Sequence, residues 1–141
     1  MKKKAIIISG YFNPIHKGHI EYINLSKSHG DILIVIVNND IQRELKGSME
    51  FMLQEERKLI ISNIKAVDKV YISIDDDKSV SKTISLIHSE LQKDYKLFFA
   101  NGGDQNNNSI PEITMCEKLG IQLLENMGKK VQSSSWLLKN K

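Results

Sequence analysis

Five short runs of β-branched and other apolar residues recur along the chain, and they constrain its fold more than any other feature. The runs are nearly continuous in apolar residues instead of alternating with polar ones, which is typical of strands covered on both faces of a parallel sheet. They read AIIIS, DILIVIVN, KVYISI, KLFFA and IQLLE, at residues 5–9, 31–38, 69–74, 96–100 and 121–125. Helical patterns fill the intervals at residues 17–29, 50–65, 79–92 and 111–119, with a short one from about 134.

This alternation of strands and helices predicts a Rossmann-like, doubly wound α/β sheet of five parallel strands. The 141 residues contain no linker or internal repeat, so residues 1–141 are predicted to form a single domain. Ligands bind such sheets beyond the carboxyl ends of the strands, where the strand order reverses. We therefore expect the loops after the first and fourth strands to meet at the binding site.

The composition favours a cytoplasmic protein that binds a small anionic ligand. The net charge of +3, from 20 Lys and Arg against 17 Asp and Glu, is too weak for the basic stripe expected of a nucleic-acid-binding protein. No apolar run reaches the ~18 residues of a membrane span, and the charged start MKKKAIIISG does not have the pattern of a signal peptide. The one cysteine, Cys116, lies in a helical pattern and is predicted to be a core residue.

The stretch GYFNPIHKGH, which begins at Gly10, follows the first strand and leads into the first helix. Gly10 and Gly18 let the backbone approach a ligand closely, and Pro14 keeps the loop extended. The helix N-terminus offers free N–H groups and a partial positive charge, which favour phosphate. His16 and His19 lie one turn apart, so both can donate N–H bonds to phosphate oxygens. The alternative is a metal pair, although no third ligand stands in an obvious position.

This stretch resembles the HxGH motif of the cytidylyltransferase-like nucleotidyltransferases, written G-x-F-[DN]-x-x-H-x-G-H. The resemblance extends over nearly the whole chain, and the pattern is most similar to glycerol-3-phosphate cytidylyltransferases and heptose-1-phosphate adenylyltransferase domains. It implies that His16 and His19 contact the nucleotide phosphates and stabilise the transition state. The neighbouring positions expected in the nucleotide site are Gly10, Tyr11, Phe12 and Gly18.

Two cationic residues further along the chain are candidates for the same site. Arg57 falls within the apolar stripe of its helical pattern, where an arginine must be paired or must reach a charge. A salt bridge with Glu55 or Glu56 is one interpretation. The resemblance implies another, because the family has a Glu-Arg pair here whose arginine supports the nucleotide site. Lys46, in the loop RELKGS, is a solvated lysine by composition, but the resemblance implies that it reaches phosphate on a closing loop.

The polar stretch ANGGDQNNNS follows the fourth strand. A plain Asn/Gly turn would explain its composition. The resemblance to a GGD-like element of the family instead implies that Gly102, Gly103 and Asp104 lie against the base and ribose of the nucleotide.

The stretch GKKVQSSSWLL, near the end of the chain, reads as a helix N-cap whose hydroxyls, with a neighbouring lysine, would make a phosphate cradle. It resembles the family's second motif, R-x-x-x-I-S-[ST]-[ST], with lysine in place of arginine. Because lysine is a point charge and not a bidentate fork, phosphate orientation is expected to rest more on the serines. The candidate residues are Lys129, Lys130, Ser133, Ser134 and Ser135.

The predicted function is transfer of a nucleoside monophosphate, with CMP favoured, from an NTP to a phosphorylated polyol or sugar, releasing pyrophosphate. An acceptor phosphate is already ionised, so the site needs to supply orientation and charge neutralisation and no general base. Mg²⁺ is expected as the cofactor, bound through the nucleotide phosphates, and no protein metal ligands are assigned. Asp75–Asp77 are predicted to form a solvated loop, with cation binding as the alternative.

Four other interpretations stay open. ATP is the alternative donor, and a nucleotide-binding module without turnover is the alternative of a different class. A metal-dependent hydrolase built on the histidine pair and a synthetase-like catalytic domain are further rivals. Family members are often dimers, so a homodimer is expected, without an interface that the sequence locates.

Overall fold

Five strands form one parallel sheet in the part of the chain that the computed structural model describes, residues 2–100 and 110–124. The strands are β1 (Lys3–Gly10), β2 (Ile32–Val37), β3 (Lys69–Ile72), β4 (Tyr95–Ala100) and β5 (Gln122–Leu124). The helices are α1 (Lys17–Lys27), α2 (Asp40–Lys46), α3 (Gln54–Ser62), α4 (Ser81–Leu91) and α5 (Ile110–Leu119). The predicted α/β class and the number of strands are confirmed.

The strand order is β3-β2-β1-β4-β5, so the chain runs outward from β1 in one direction and then returns to the other side of it. β1 pairs with β2 from Ala5 to Gly10 and with β4 from Lys3 to Ile7. The order therefore reverses between β1 and β4, and the loops after these two strands leave the sheet at neighbouring positions. This is the place where the sequence predicted the binding site.

Each face of the sheet carries its own apolar core, because successive side chains of a strand point to opposite faces. Along β1, Ala5 and Ile7 pack in the cluster that includes residues of α4 and α5. Ile6 and Ile8 pack in the other cluster, which includes residues of α1 and α3. Strands buried on both faces explain why the apolar runs in the sequence are continuous. Cys116 of α5 is fully buried in the first cluster, as predicted.

Helix α2 was not predicted. It has no apolar stripe for burial, because Ile41 and Leu45 are exposed whereas Gln42 and Arg43 are buried. Both ends of the helix nevertheless have recognisable sequence signals. A capping box joins Asn39 to Gln42 at the start, and Gly47 ends the helix with a φ of 81°. The helix predicted from residue 50 begins only at Gln54.

No helix in residues 2–100 and 110–124 is both long and apolar enough to span a bilayer.

Candidate active site

The turn between β1 and α1 is built around the buried ring of Phe12. Phe12 is 2% exposed and has a φ of 51°, a left-handed conformation that is uncommon for a residue with a bulky side chain. Its ring lies against Gly10, where an added Cβ would be 2.8 Å from Phe12 Cζ. The glycine was predicted to admit a ligand close to the backbone. The structure gives it a different reason, because Gly10 makes room for the Phe12 ring.

His16 and His19 form a capping box at the start of α1. His16 is the N-cap residue, and its Nδ1 accepts the N–H of Gly18 at 3.1 Å. In return, the N–H of His16 donates to Nδ1 of His19 at 3.1 Å. The spacing of three residues is thus the spacing of a capping box, with imidazoles in the places usually taken by Ser or Thr and Glu or Gln. The expectation of free N–H groups at this helix start is wrong for Gly18 and His16.

The capping bonds fix the protonation of both rings. An imidazole nitrogen that accepts an N–H bond carries no proton in that bond, so each capping ring bears its hydrogen on Nε2. The two rings lie together, with centroids 3.9 Å apart. The rings of Phe12 and His19 form a T-shaped pair with centroids 5.0 Å apart. Burial, the nearby His16 and the cation of Lys46 lower the pKa of His19 from 6.5 to about 4. The site therefore presents two imidazole N–H donors side by side, and His19 stays neutral at physiological pH.

Lys46 lies beside this pair. Its Nζ is 4.4 Å from the centre of the Tyr11 ring, in a cation–π contact, and its charge acts on His19. The sequence placed Lys46 in a mobile loop. That was wrong, because Lys46 is the last residue of α2, fixed there by the left-handed cap at Gly47. A cation at the last turn of a helix also interacts favourably with the helix dipole.

Arg57 is fully buried and joins four chain segments. Its Nη1 donates to the carbonyl oxygens of Tyr11 at 2.9 Å and Asn38 at 2.6 Å, and its Nε donates to that of Met52 at 3.1 Å. The charge is paired with Asp40, 2.7 Å from Nη2. The interpretation that Arg57 pairs with Glu55 or Glu56 is therefore wrong. With no exposed surface and these bonds made, its guanidinium does not face a ligand, and the geometry makes Arg57 a positioning residue rather than a direct phosphate contact.

The sequence did not lead us to predict Asn13 as a residue of the site. Its Oδ1 accepts the N–H groups of Phe51 at 3.1 Å and Met52 at 3.0 Å, and its Nδ2 donates to the carbonyl of Met49 at 2.7 Å. Asn13 thereby ties the turn between β1 and α1 to the segment between α2 and α3. The [DN] position of the HxGH motif was the available signal, since an amide or carboxylate beside a proline commonly bonds to backbone.

The acidic stretch after β3 has a structural role at its first residue. Asp75 is 2% exposed, and its carboxylate accepts the N–H groups of Lys82 at 2.8 Å and Thr83 at 3.0 Å at the start of α4. The prediction of a wholly solvated loop is wrong for Asp75. Glu112 of α5 caps the same helix through the N–H of Val80, and burial raises its pKa.

Several predicted site residues lie outside the described residues. They are Gly102, Gly103, Asp104, Lys129, Lys130, Ser133, Ser134 and Ser135. The structure does bring together the remaining predicted residues, on the turn after β1, on α2 and on α3. Within the described ranges, no group of three or more His, Cys, Asp or Glu side chains is arranged to hold a metal ion. The donors at this site, two N–H groups and a lysine, suit phosphate oxygens better than a cation.

Comparison with known sequences gives matches over most of the chain. Residues 7–136 match the family model described as cytidylyltransferase-like. The chain is 30% identical over 116 residues to FAD synthase of Picrophilus torridus, covering 82% of this chain and 77% of that protein. It is 29% identical over 140 residues to the bifunctional protein HldE of Wolinella succinogenes, covering 94% of this chain. The chain spans only 28% of the length of that HldE protein.

Comparison with solved structures supports the same fold. The lipopolysaccharide core biosynthesis protein from Thermoplasma volcanium superposes with a TM-score of 0.68 at 24% sequence identity. The alignment covers 87% of this chain and 93% of that one. At this identity the likeness bears on the fold alone.

Proposed function

The chain belongs to the cytidylyltransferase-like family of nucleotidyltransferases, and we propose that it transfers a nucleoside monophosphate from an NTP to a small phosphorylated acceptor. The observation that carries this proposal is the pair of imidazoles in contact at the start of α1, each with Nδ1 used in capping, beside Lys46. Two N–H donors and a cation next to a helix N-terminus, at the reversal of strand order, suit a polyphosphate. The family match supplies the reaction class.

In the proposed reaction, an oxygen of the acceptor phosphate attacks the α-phosphorus in line. A new P–O bond forms as the bond to the bridging oxygen breaks, and pyrophosphate leaves with the electron pair. The attacking oxygen is already ionised, so the step moves no proton onto the protein. The Nε2–H groups of His16 and His19 would donate to oxygens of the α-phosphate and the leaving group, where negative charge develops. The lowered pKa of His19 suits this task, because that imidazole remains a neutral N–H donor near pH 7.

Other residues would hold the substrate and the scaffold. Lys46 would neutralise charge on the outer phosphates, and Arg57 would position the turn through the Tyr11 carbonyl. The family resemblance assigns the base and ribose to Gly102, Gly103 and Asp104. It assigns the outer phosphates also to Lys129, Lys130 and the serines at 133–135. Mg²⁺, coordinated by phosphate oxygens and water, would supply further charge neutralisation when bound.

The donor and the acceptor are separate parts of the proposal. CTP is the donor that the sequence pattern favours, with a polyol or sugar phosphate as acceptor. The name of the FAD synthase relative favours ATP, since FAD is an adenylylated FMN. These two pairs of substrates differ in base and in acceptor, so one assay separates them.

A pyrophosphate-release screen tests the proposal. Purified protein with Mg²⁺ would be given each of four NTPs against glycerol 3-phosphate, sugar 1-phosphates and FMN. We expect release to need both a preferred NTP and a phosphorylated acceptor, and to fall in a His16→Asn variant purified in parallel. The variant shows that the activity belongs to this chain and not to a contaminant.

Other outcomes would select the rival interpretations. Tight NTP binding by calorimetry, without pyrophosphate release for any acceptor, would favour a non-catalytic binding module. Stoichiometric zinc by elemental analysis would favour a metal-dependent hydrolase built on the histidine pair.

A further inference from the structure

Tyr11, the first residue after β1, is held at both its backbone and its side chain. Its carbonyl oxygen accepts a hydrogen bond from Nη1 of the buried Arg57 at 2.9 Å, and its hydroxyl donates to the carbonyl oxygen of Gln42 at 3.5 Å. Gln42 is itself fully buried, and its Nε2 donates to the carbonyl oxygens of Asp77 and Ser79, each at 2.7 Å. The ring of Tyr11 therefore lies against α2 between two anchored partners.

Lys46 reaches this ring through the helical repeat of α2. Gln42 and Lys46 are four residues apart, so they share one face of the helix. The hydroxyl of Tyr11 meets that face at Gln42, and Nζ of Lys46 lies 4.4 Å from the centre of the ring. Within residues 2–100 and 110–124, no carboxylate forms an ion pair with Lys46. In that part of the chain, the ring of Tyr11 is thus the group that holds the ammonium.

The ring is needed because Lys46 is exposed. A lysine side chain has a flexible stem of four carbons, and at an exposed position it samples many rotamers unless a partner holds its head group. Here the ammonium stays close enough to His19 for its charge to lower the pKa of that imidazole, after the larger effects of burial and His16. The cation is therefore held within reach of the imidazole donors, as binding of one polyphosphate requires.

We propose that Tyr11 is a positioning residue, whose ring holds the ammonium group of Lys46 beside His16 and His19 for the phosphates of a nucleoside triphosphate. Tyr11 acts through Lys46 and not by contacting the nucleotide itself. A side chain that is already fixed in its bound geometry loses less rotamer freedom when the ligand arrives, which strengthens binding. The identity of the ligand rests on the nucleotidyl transfer proposed above, whereas the contact between Tyr11 and Lys46 can be tested without turnover.

Proton NMR of the full chain, without nucleotide and near neutral pH, tests the contact. The ε-methylene protons of Lys46 lie close to the face of an aromatic ring, so the ring current should shift their signals upfield. Loss of these signals in Lys46→Met assigns them. The shift should disappear in Tyr11→Leu and remain in Tyr11→Phe, which keeps the ring and removes only the hydroxyl.

Calorimetric titration with CTP, ATP and inorganic tripolyphosphate, each with Mg²⁺, tests the role. Tyr11→Leu should weaken binding by about threefold to thirtyfold, the range expected for loss of a cation–π contact. The KM for the NTP should rise by the same factor with little change in kcat, because the ring touches no reacting group. Tyr11→Phe should bind like wild type. In the background of Lys46→Met, Tyr11→Leu should cause no further loss.

Tyr71→Leu is the matched control, because Tyr71 is also a half-buried tyrosine but its hydroxyl donates to Glu90 of α4. It should change neither the Lys46 signals nor the binding constants. Lys46 signals without an upfield shift in wild type, or a shift that survives in Tyr11→Leu, would overturn the contact. Equal weakening by Tyr11→Leu with and without Lys46 would show that the effect does not pass through the cation, and the positioning role would be wrong.

Failure of the proposed nucleotidyl transfer gives a different result. If the ligands bind and the Tyr11→Leu cycle behaves as expected, but no acceptor leads to pyrophosphate release, the positioning role stands and the proposed reaction is wrong. If none of the three ligands binds while the Lys46 signals are shifted, the contact exists but has no phosphate to serve, and both proposals are overturned.

Discussion

Replacing His16 by asparagine separates the two tasks that the imidazole performs. As the N-cap of α1, its Nδ1 accepts a backbone N–H, and as a site residue it carries an Nε2–H donor. Asparagine keeps an acceptor at the capping position but ends one atom short of Nε2. The same protein shows that asparagine can fill the capping role, because Asn39 caps α2 in the same type of box with a 2.8 Å bond from Gln42 N–H.

The expected magnitudes follow from this division. Loss of one donor to a developing oxyanion costs about 10²–10³ in turnover, or about 2.7–4 kcal/mol. Asparagine is among the best N-cap residues, so the free energy of unfolding of His16→Asn should stay within about 1 kcal/mol of wild type. His16→Ala should lose the same turnover and, in addition, about 1 kcal/mol of stability from the missing cap. A loss of that size lowers the melting temperature of a domain of this length by about 3–5 °C.

The assay pairs steady-state pyrophosphate release with thermal unfolding of the same preparations. His29→Asn is the control, because His29 is exposed at the far end of α1 and should change neither quantity. Turnover of His16→Asn within about tenfold of wild type would refute the donor role. If His16→Asn were as destabilised as His16→Ala, the capping argument would be refuted instead.

Three further predictions follow from the same geometry. Because the pKa of His19 is about 4 in the native state and 6.5 in the unfolded chain, the unfolded chain takes up a proton first, and the free energy of unfolding should decline as the pH falls from 6.5 to 4. The melting temperatures of wild type and His19→Gln, plotted against pH, should therefore converge over this range. Parallel plots would contradict the lowered pKa. Arg57→Met should reduce the free energy of unfolding, measured by urea titration, by about 3–5 kcal/mol, because it leaves the partners of a buried charge unpaired. Lys58 is exposed, so Lys58→Met should hardly change the free energy of unfolding in the same measurement. Gly10→Ala should lower the free energy of unfolding by about 1–3 kcal/mol, because the added methyl group overlaps the Phe12 ring. In the background of Phe12→Leu, the same change should cost less. Strictly additive effects in this double-mutant cycle would be evidence against the contact.

The sequence predicted the sheet well, because burial on both faces leaves continuous apolar runs that need no tertiary information to be read. It missed α2 because that helix inverts the usual pattern: Gln42 is buried and bonded, whereas Ile41 and Leu45 face outward. The capping box from Asn39 to Gln42 was a signal in the sequence, but a short helix without an apolar stripe gives no periodicity to support it.

The sequence predicted which residues lie at the candidate site better than it predicted the contacts that they make there. The pattern HxGH placed both histidines correctly at the helix start, yet imidazoles are not usual capping groups, so their mutual bonds were not anticipated. The partner of Arg57 could not be predicted, since Asp40 lies 17 positions away and meets it only after α3 has docked against β2 and β3. Such contacts depend on tertiary geometry, which local patterns do not encode.

The bonding of Arg57 also bears on when in folding the site comes into existence. Its four acceptors come from residues 11, 38, 40 and 52, that is, from the ends of two strands, the start of one helix and the approach to another. The guanidinium can make all four hydrogen bonds only after these strand ends and helix starts have docked. Contacts between positions far apart in the sequence form late in folding, because the intervening loops must first close at a cost in entropy. A chain whose first two strands have paired but whose α3 is still detached would contain the HxGH motif without a supported turn. Turnover in this protein is therefore a readout of the completed first half of the fold, and partly folded chains should not contribute to it.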